Sequence, residues 1–198
     1  MARTRTIWVT AAVMTATLGA AAIPAQAASP TAPVAASRAA VACPTGWGSL
    51  DKAYTAGATT PVRNARTGQH DCYDRLVIDV PGAAAGELGY SVRYVDRLHQ
   101  DGSGRYIPVG GGAILEVRVS APAYDPDTGA PTYPARAAQP LPGVNITGYR
   151  AFRDTRYAGS FEGETQIGLG VRARLPFRVQ RLDGHLVVDV AHNWTAAR

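Results

Sequence analysis

Beyond residue 28 no stretch repeats its apolar residues with the period of a helix. Alternation with a period of two recurs instead, in short segments closed by glycine, proline or an Asp-Gly pair. Residues 113–120 set Leu115, Val117 and Val119 against Glu116 and Arg118, the pattern of a strand buried on one face. Residues 90–98 alternate Tyr90, Val92 and Tyr94 against Ser91 and Arg93, and residues 72–80 form an apolar run that Pro81-Gly82 ends. Further strands are expected at 144–157, 166–175, 177–182 and 185–191. Leu182-Asp183-Gly184-His185 reads as a hairpin, because Asp-Gly supplies the positive φ that a tight two-residue loop needs. Asp101-Gly102-Ser103-Gly104 reads as a second hairpin turn, joining the strands at 90–98 and 113–120. Residues 121–143 hold six prolines and no alternation, so a long, proline-stiffened surface loop is expected there. The 21 glycines and 14 prolines among 198 residues suit many turns, and 46% hydrophobic residues suffice for one core. The expectation is an all-β, single-domain β-sandwich of short strands. Residues 74–80 and 184–190 also echo each other as x-x-L-V-[IV]-D-V, which suggests a pseudo-twofold sandwich with one copy in each half.

Residues 1–27 have the parts of a secretory signal peptide. Arg3 and Arg5 precede an uncharged run, and Ala25-Gln26-Ala27 is a small-x-small cleavage site. Residues 28–46 read as a flexible linker and N-terminal arm, 47–192 as the β domain and 193–198 as a C-terminal tail. A secreted chain without a stable membrane anchor is therefore expected, extracellular or cell-wall associated. Removing the leader leaves 18 basic against 15 acidic residues, a mild surplus that does not indicate a nucleic-acid partner. All the basic residues but Lys52 are arginines, a preference that coding bias alone would produce. In an oxidising compartment the two cysteines, Cys43 and Cys72, are expected to form one disulfide. Closing that loop is worth about 3–4 kcal/mol in the chain-entropy description.

Catalytic patterns are weak. Ser103 lies in a Gly-Ser-Gly turn rather than the G-x-S-x-G strand-to-helix elbow of a hydrolase. His70, His99, His185 and His192 show no zinc spacing, and no cofactor is indicated. Glu162 and Glu164 flank Gly163 in a solvated turn, and Asp125-Pro126-Asp127-Thr128-Gly129 lacks the later ligands of a calcium loop. Binding is better served. Tyr124, Tyr133 and Arg136 lie on the proline-stiffened loop, where exposed aromatics could stack on sugar rings. Arg172 and Arg174 share the polar face of an expected strand, within an arginine-rich C-terminal half that also holds Arg150, Arg153, Arg156, Arg178 and Arg181.

Several motifs together resemble one known family. They are the CPTGWG run at 43–48, Arg66-Thr67-Gly68-Gln69-His70-Asp71 leading into Tyr73-Asp74-Arg75-Leu76-Val77, and Tyr94-Val95 ahead of the 101–104 turn. Pro131-Thr132-Tyr133-Pro134, Tyr157-Ala158-Gly159-Ser160-Phe161-Glu162-Gly163, and Pro176-Phe177-Arg178-Val179 running into Leu186-Val187-Val188-Asp189-Val190 complete the set. Across residues 47–192 the chain resembles the AMIN-like domain of secreted actinobacterial proteins. That resemblance implies a β-sandwich without catalytic residues, acting as a module for carbohydrate or anionic polymer of the cell wall, peptidoglycan included. The alternatives at this point are a secreted enzyme with an unrecognised site, or a protein-interaction or inhibitor module.

Overall fold

The computed structural model describes Cys43 and residues 46–194. The expected leader, most of the linker and the last four residues of the tail lie outside the described residues. Eleven strands follow in order: β1 (Lys52–Tyr54), β2 (Asn64–Gln69), β3 (Tyr73–Asp79), β4 (Tyr90–Val95), β5 (Leu98–His99), β6 (Tyr106–Ile107), β7 (Ala113–Val119), β8 (Phe152–Phe161), β9 (Glu164–Val171), β10 (Phe177–Leu182) and β11 (His185–Ala191). A single 3-10 turn, Ala85–Glu87, is the one helical element among the described residues. All named strand pairs are antiparallel. They form a five-stranded sheet, β1-β4-β7-β9-β8, and a four-stranded sheet, β10-β11-β3-β2.

Alternation decides which side chains meet between the sheets. Val92, Leu115, Val117, Val119, Ile167 and Leu169 from the larger sheet pack against Leu76, Ile78, Leu186, Val188, Val190 and Phe177 from the smaller one, all buried in one cluster. The β10–β11 turn is the two-residue loop expected: Leu182 pairs with His185, and Gly184 has a φ of 73°. The 101–104 turn is a correction. It joins β5 to β6, a two-stranded hairpin, while β4 and β7 pair directly with each other.

That small hairpin lies on the outer face of the larger sheet and builds a second core from Leu98, Ile107 and Ala158. It explains Gly168 and Gly170. A Cβ on Gly168 would sit 2.4 Å from Leu98, and one on Gly170 would sit 1.8 Å from the Gly110 carbonyl oxygen. The face that alternation assigns to solvent is therefore covered. Glu116 is only 4% exposed, held by Arg93 at 2.8 Å and Gln166 at 2.7 Å, with Arg118 beside it.

The internal echo has a different geometry from the one expected. Its two copies, β3 and β11, are adjacent strands of one sheet, paired about Val77↔Val187. A local twofold passes between them and carries β10 onto β2. Related positions do related jobs: Asp79 accepts from Asn64 and His185, as Asp189 accepts from Arg178 and Arg75. Asp189 is fully buried, and its two arginines compensate a charge that would otherwise be costly there.

Two boundaries also move. Strand β8 begins at Phe152, because residues 145–151 form turns around Asn145, Gly148 and Tyr149. Strand β9 ends at Val171, its last partner in β8 and β7, and the chain then bends across to the other sheet. Cys43 and Cys72 form a disulfide, as expected. It fixes the N-terminal arm, so that Trp47 lies against Tyr73 and Arg178 while Gly48 accepts from the Phe177 amide.

Candidate functional site

Strand direction brings several connections to one end of the sandwich: the β2–β3 turn, the β4–β5 link, the approach to β8, the β9–β10 connection and the exit of β11. Arg97, Arg150, Arg153, Arg172 and Arg174 are all exposed there. Acidic residues in or beside these segments include Asp51, Asp71, Asp96 and Asp154, the last paired with Arg156. A basic surface therefore assembles from segments far apart in sequence.

The arginines differ in how they are held. Arg172 donates to the backbone oxygen of His192. Arg153 donates to the carbonyls of Tyr149, Phe152 and Arg150, and Arg150 reaches the Asp71 carbonyl at 3.5 Å. These partners are neutral, and among the described residues none of the three arginines forms an ion pair. Arg174 instead meets the Asp96 carboxylate at 3.0 Å and lies 5.7 Å from the centroid of the Tyr94 ring. An open groove of about 540 Å³ beside Arg150 is lined by Gln69, His70, Asp71 and Gly148.

Beneath this surface sits a buried pair. His192 Nε2 lies 2.9 Å from Asp74 Oδ1, and Asp74 Oδ2 accepts from the Ala151 and Phe152 amides at 2.5 and 3.0 Å. The aspartate joins the start of β3, the exit of β11 and the entry to β8. With both oxygens committed and the histidine 3% exposed, it acts as a latch rather than as a base open to substrate.

The other residues singled out by sequence fall elsewhere. Tyr133 is a correction: it is 3% exposed and packs edge-on against Tyr157, because the proline-rich segment folds inward over the sandwich. Burial pushes its hydroxyl well above the ordinary tyrosine range. Tyr124 is half-buried, with its hydroxyl accepting from the Gly163 amide at the opposite end of the molecule. Arg136 is exposed beside the β8 edge. These three do not join Arg172 and Arg174, which themselves lie on a bend and not along one strand face.

Of the remaining arginines, Arg156 is tied to Asp154, Arg178 to Asp189, and Arg181 lies over the Tyr54 ring. Arg97 went unnoticed in the sequence because its position at this end depends on the β4–β7 pairing. Tyr106, 52% exposed, and Trp194, 58% exposed, were likewise missed; an isolated aromatic near a turn carries no local signal.

Ser103 Oγ is hydrogen-bonded to Gln100, and Asp125 Oδ1 accepts from the amides of Asp127 and Thr128 in a closed turn. Among the described residues no group of three His, Cys, Asp or Glu side chains converges as metal ligands would. Comparison with known proteins gave one family match, the AMIN-like domain, over residues 60–192. No curated protein and no solved structure matches the chain significantly.

Proposed function

We propose, since the chain belongs to the AMIN-like domain family, that it is a secreted, non-catalytic module that associates with anionic polymer of the cell envelope through the basic end of its sandwich. Membership points to a cell-wall-associated module, and domains of this kind are generally non-catalytic and linked to peptidoglycan binding. The disulfide fits an oxidising compartment. The mature chain starts near Ala28 in this reading, and its folded domain spans 47–192. The pairing of β1 with β4 supports a domain that begins ahead of the matched residues.

The observation that carries the reading is the gathering of Arg97, Arg150, Arg153, Arg172 and Arg174 at one end, three of them held, among the described residues, by backbone carbonyls. Such a surface attracts polyanions over about 8 Å at physiological ionic strength. The test is retention of the mature protein on purified wall sacculi as salt is raised. Retention at low salt that falls with added salt, and falls further in an Arg150→Ser/Arg172→Ser variant, is expected. A protein that washes off at low salt, or a variant retained like the parent, overturns the reading.

A further inference from the structure

Beside the basic end a second groove, of about 330 Å³, runs under the β5–β6 hairpin, with Asp96, Tyr106, Val109, Gly111, Gly112 and Arg174 among its lining residues. Two glycines form part of its lining, and packing fixes both. A Cβ on Gly112 would lie 2.1 Å from the Arg172 carbonyl oxygen. Gly111, at a φ of 123°, would place one 2.7 Å from the Val171 oxygen. Close packing against the 171–172 backbone thus demands glycine at both positions, which adds no side chain to that part of the groove.

Three side chains around this groove are strongly exposed, although Tyr106 has the His99 ring 5.9 Å away. Tyr106 is 52% exposed, while Ile107 next to it is buried in the second core and anchors the strand. The ring is therefore presented to solvent from a fixed backbone. The Arg174 and Asp96 side chains are 58% and 94% exposed, and an ion pair so open adds little to stability. Tyr94 beneath the guanidinium holds Arg174 in place.

An aromatic ring, a guanidinium fork and a carboxylate acceptor around a groove with two glycines in its lining suit a ring that carries hydroxyls on its rim and C–H bonds on its face. We propose that this groove is a saccharide subsite, taking one pyranose ring of an envelope glycan. The apolar ring face stacks on Tyr106. A ring hydroxyl donates to Asp96, and Arg174 donates to a neighbouring hydroxyl or amide oxygen. Asp96 repels a phosphodiester, so the groove selects a neutral sugar where the arginine surface selects charge. The inference rests on the envelope-binding reading and adds to it a contact that salt does not screen.

The test is an amide NMR titration of the mature protein with a soluble, neutral β-1,4-linked N-acetylglucosamine oligomer, and separately with polyphosphate. The oligomer is expected to shift Tyr106, Gly111, Gly112, Ala113 and Arg174 equally at low and high salt. Polyphosphate is expected to shift Arg150 and Arg172 at low salt only. Tyr106→Phe keeps the ring face and should keep the affinity for the oligomer, whereas Tyr106→Ala should weaken it about tenfold. Oligomer shifts absent from the groove, or an unchanged affinity in Tyr106→Ala, overturn the subsite. Groove shifts that persist in a protein unable to hold sacculi refute the arginine surface and leave the subsite standing.

Discussion

Asp74 is the residue whose removal tests the architecture most directly. Its carboxylate is fully buried and joins three parts of the chain, through His192 Nε2 and the Ala151 and Phe152 amides. Asp74→Ala strands two backbone donors beside Phe152, itself 1% exposed. Each orphaned buried donor costs about 1–3 kcal/mol, and the histidine loses its hydrogen-bond partner as well. Partial entry of water offsets some of this, leaving an expected loss of about 4 kcal/mol. In a domain of this size that lowers Tm by roughly 10 °C. Asp74→Asn keeps one acceptor for the two amides and still presents a polar group to His192, so about half the loss is expected.

Calorimetry of the parent, both variants, His192→Ala and the Asp74→Ala/His192→Ala double variant measures these terms. The double variant should cost less than the sum of its parts, because the residues share one network. Hydrogen exchange at Ala151 and Phe152 should accelerate more than exchange at the centre of β11. An Asp74→Ala variant within about 1 kcal/mol of the parent would refute the latch. So would additive effects of the Asp74 and His192 changes.

Other expectations can be checked on the same protein. Free-thiol labelling under denaturing, non-reducing conditions should find none at Cys43 and Cys72, and Cys72→Ser should cost about 3–4 kcal/mol by urea unfolding. Burial would raise the Glu116 carboxyl, but hydrogen bonds from Arg93 and Gln166 and the Arg118 charge outweigh it and hold it below its ordinary value of 4.5. A carboxylate depressed by folding stabilises fully above its unfolded value, and that share is lost as the pH falls through the folded one. Glu116→Gln should therefore flatten the decline in stability below about pH 4.5, and an unchanged acid profile counts against the network. Gly170→Ala should detach the β5–β6 hairpin, since the new Cβ meets the Gly110 oxygen at 1.8 Å; proteolytic sensitivity at residues 100–105 reports it.

How much could be read from the sequence depended on how local the cause was. Asp183-Gly184 sets its own turn, so the two strands it joins have the bounds expected of them. Alternation placed Leu115, Val117 and Val119 inward correctly. It failed for Glu116, because the cover is a hairpin of two-residue strands, too short to show a period. Tyr133 looked like a loop aromatic because proline density marks irregular backbone, yet irregular backbone still packs. The site was less legible than the fold. Arg172 and Arg174 follow an alternating run, but Val171 exhausts its pairing partners and the chain turns, which sends the two guanidinium groups to different neighbours.

The choice between coding bias and function for the arginines turns on their partners. Bias places arginine without regard to carboxylates, and a fold that tolerates it must then pair or solvate each one. Arg66 with Asp79, Arg75 and Arg178 with Asp189, Arg93 and Arg118 with Glu116, and Arg156 with Asp154 are all paired. These six arginines sit against largely buried carboxylates, an arrangement that stability accounts for. Arg150, Arg153 and Arg172 are fixed by backbone carbonyls instead, a geometry that orders the side chain and leaves its charge intact. Arg181, held by the Ala85 carbonyl, lies at the opposite end of β10, but Arg150, Arg153 and Arg172 share one end with Arg97 and Arg174. A surface of ordered side chains has a smaller entropic cost of binding than a mobile one. That is the physical reason to look for the polymer there first.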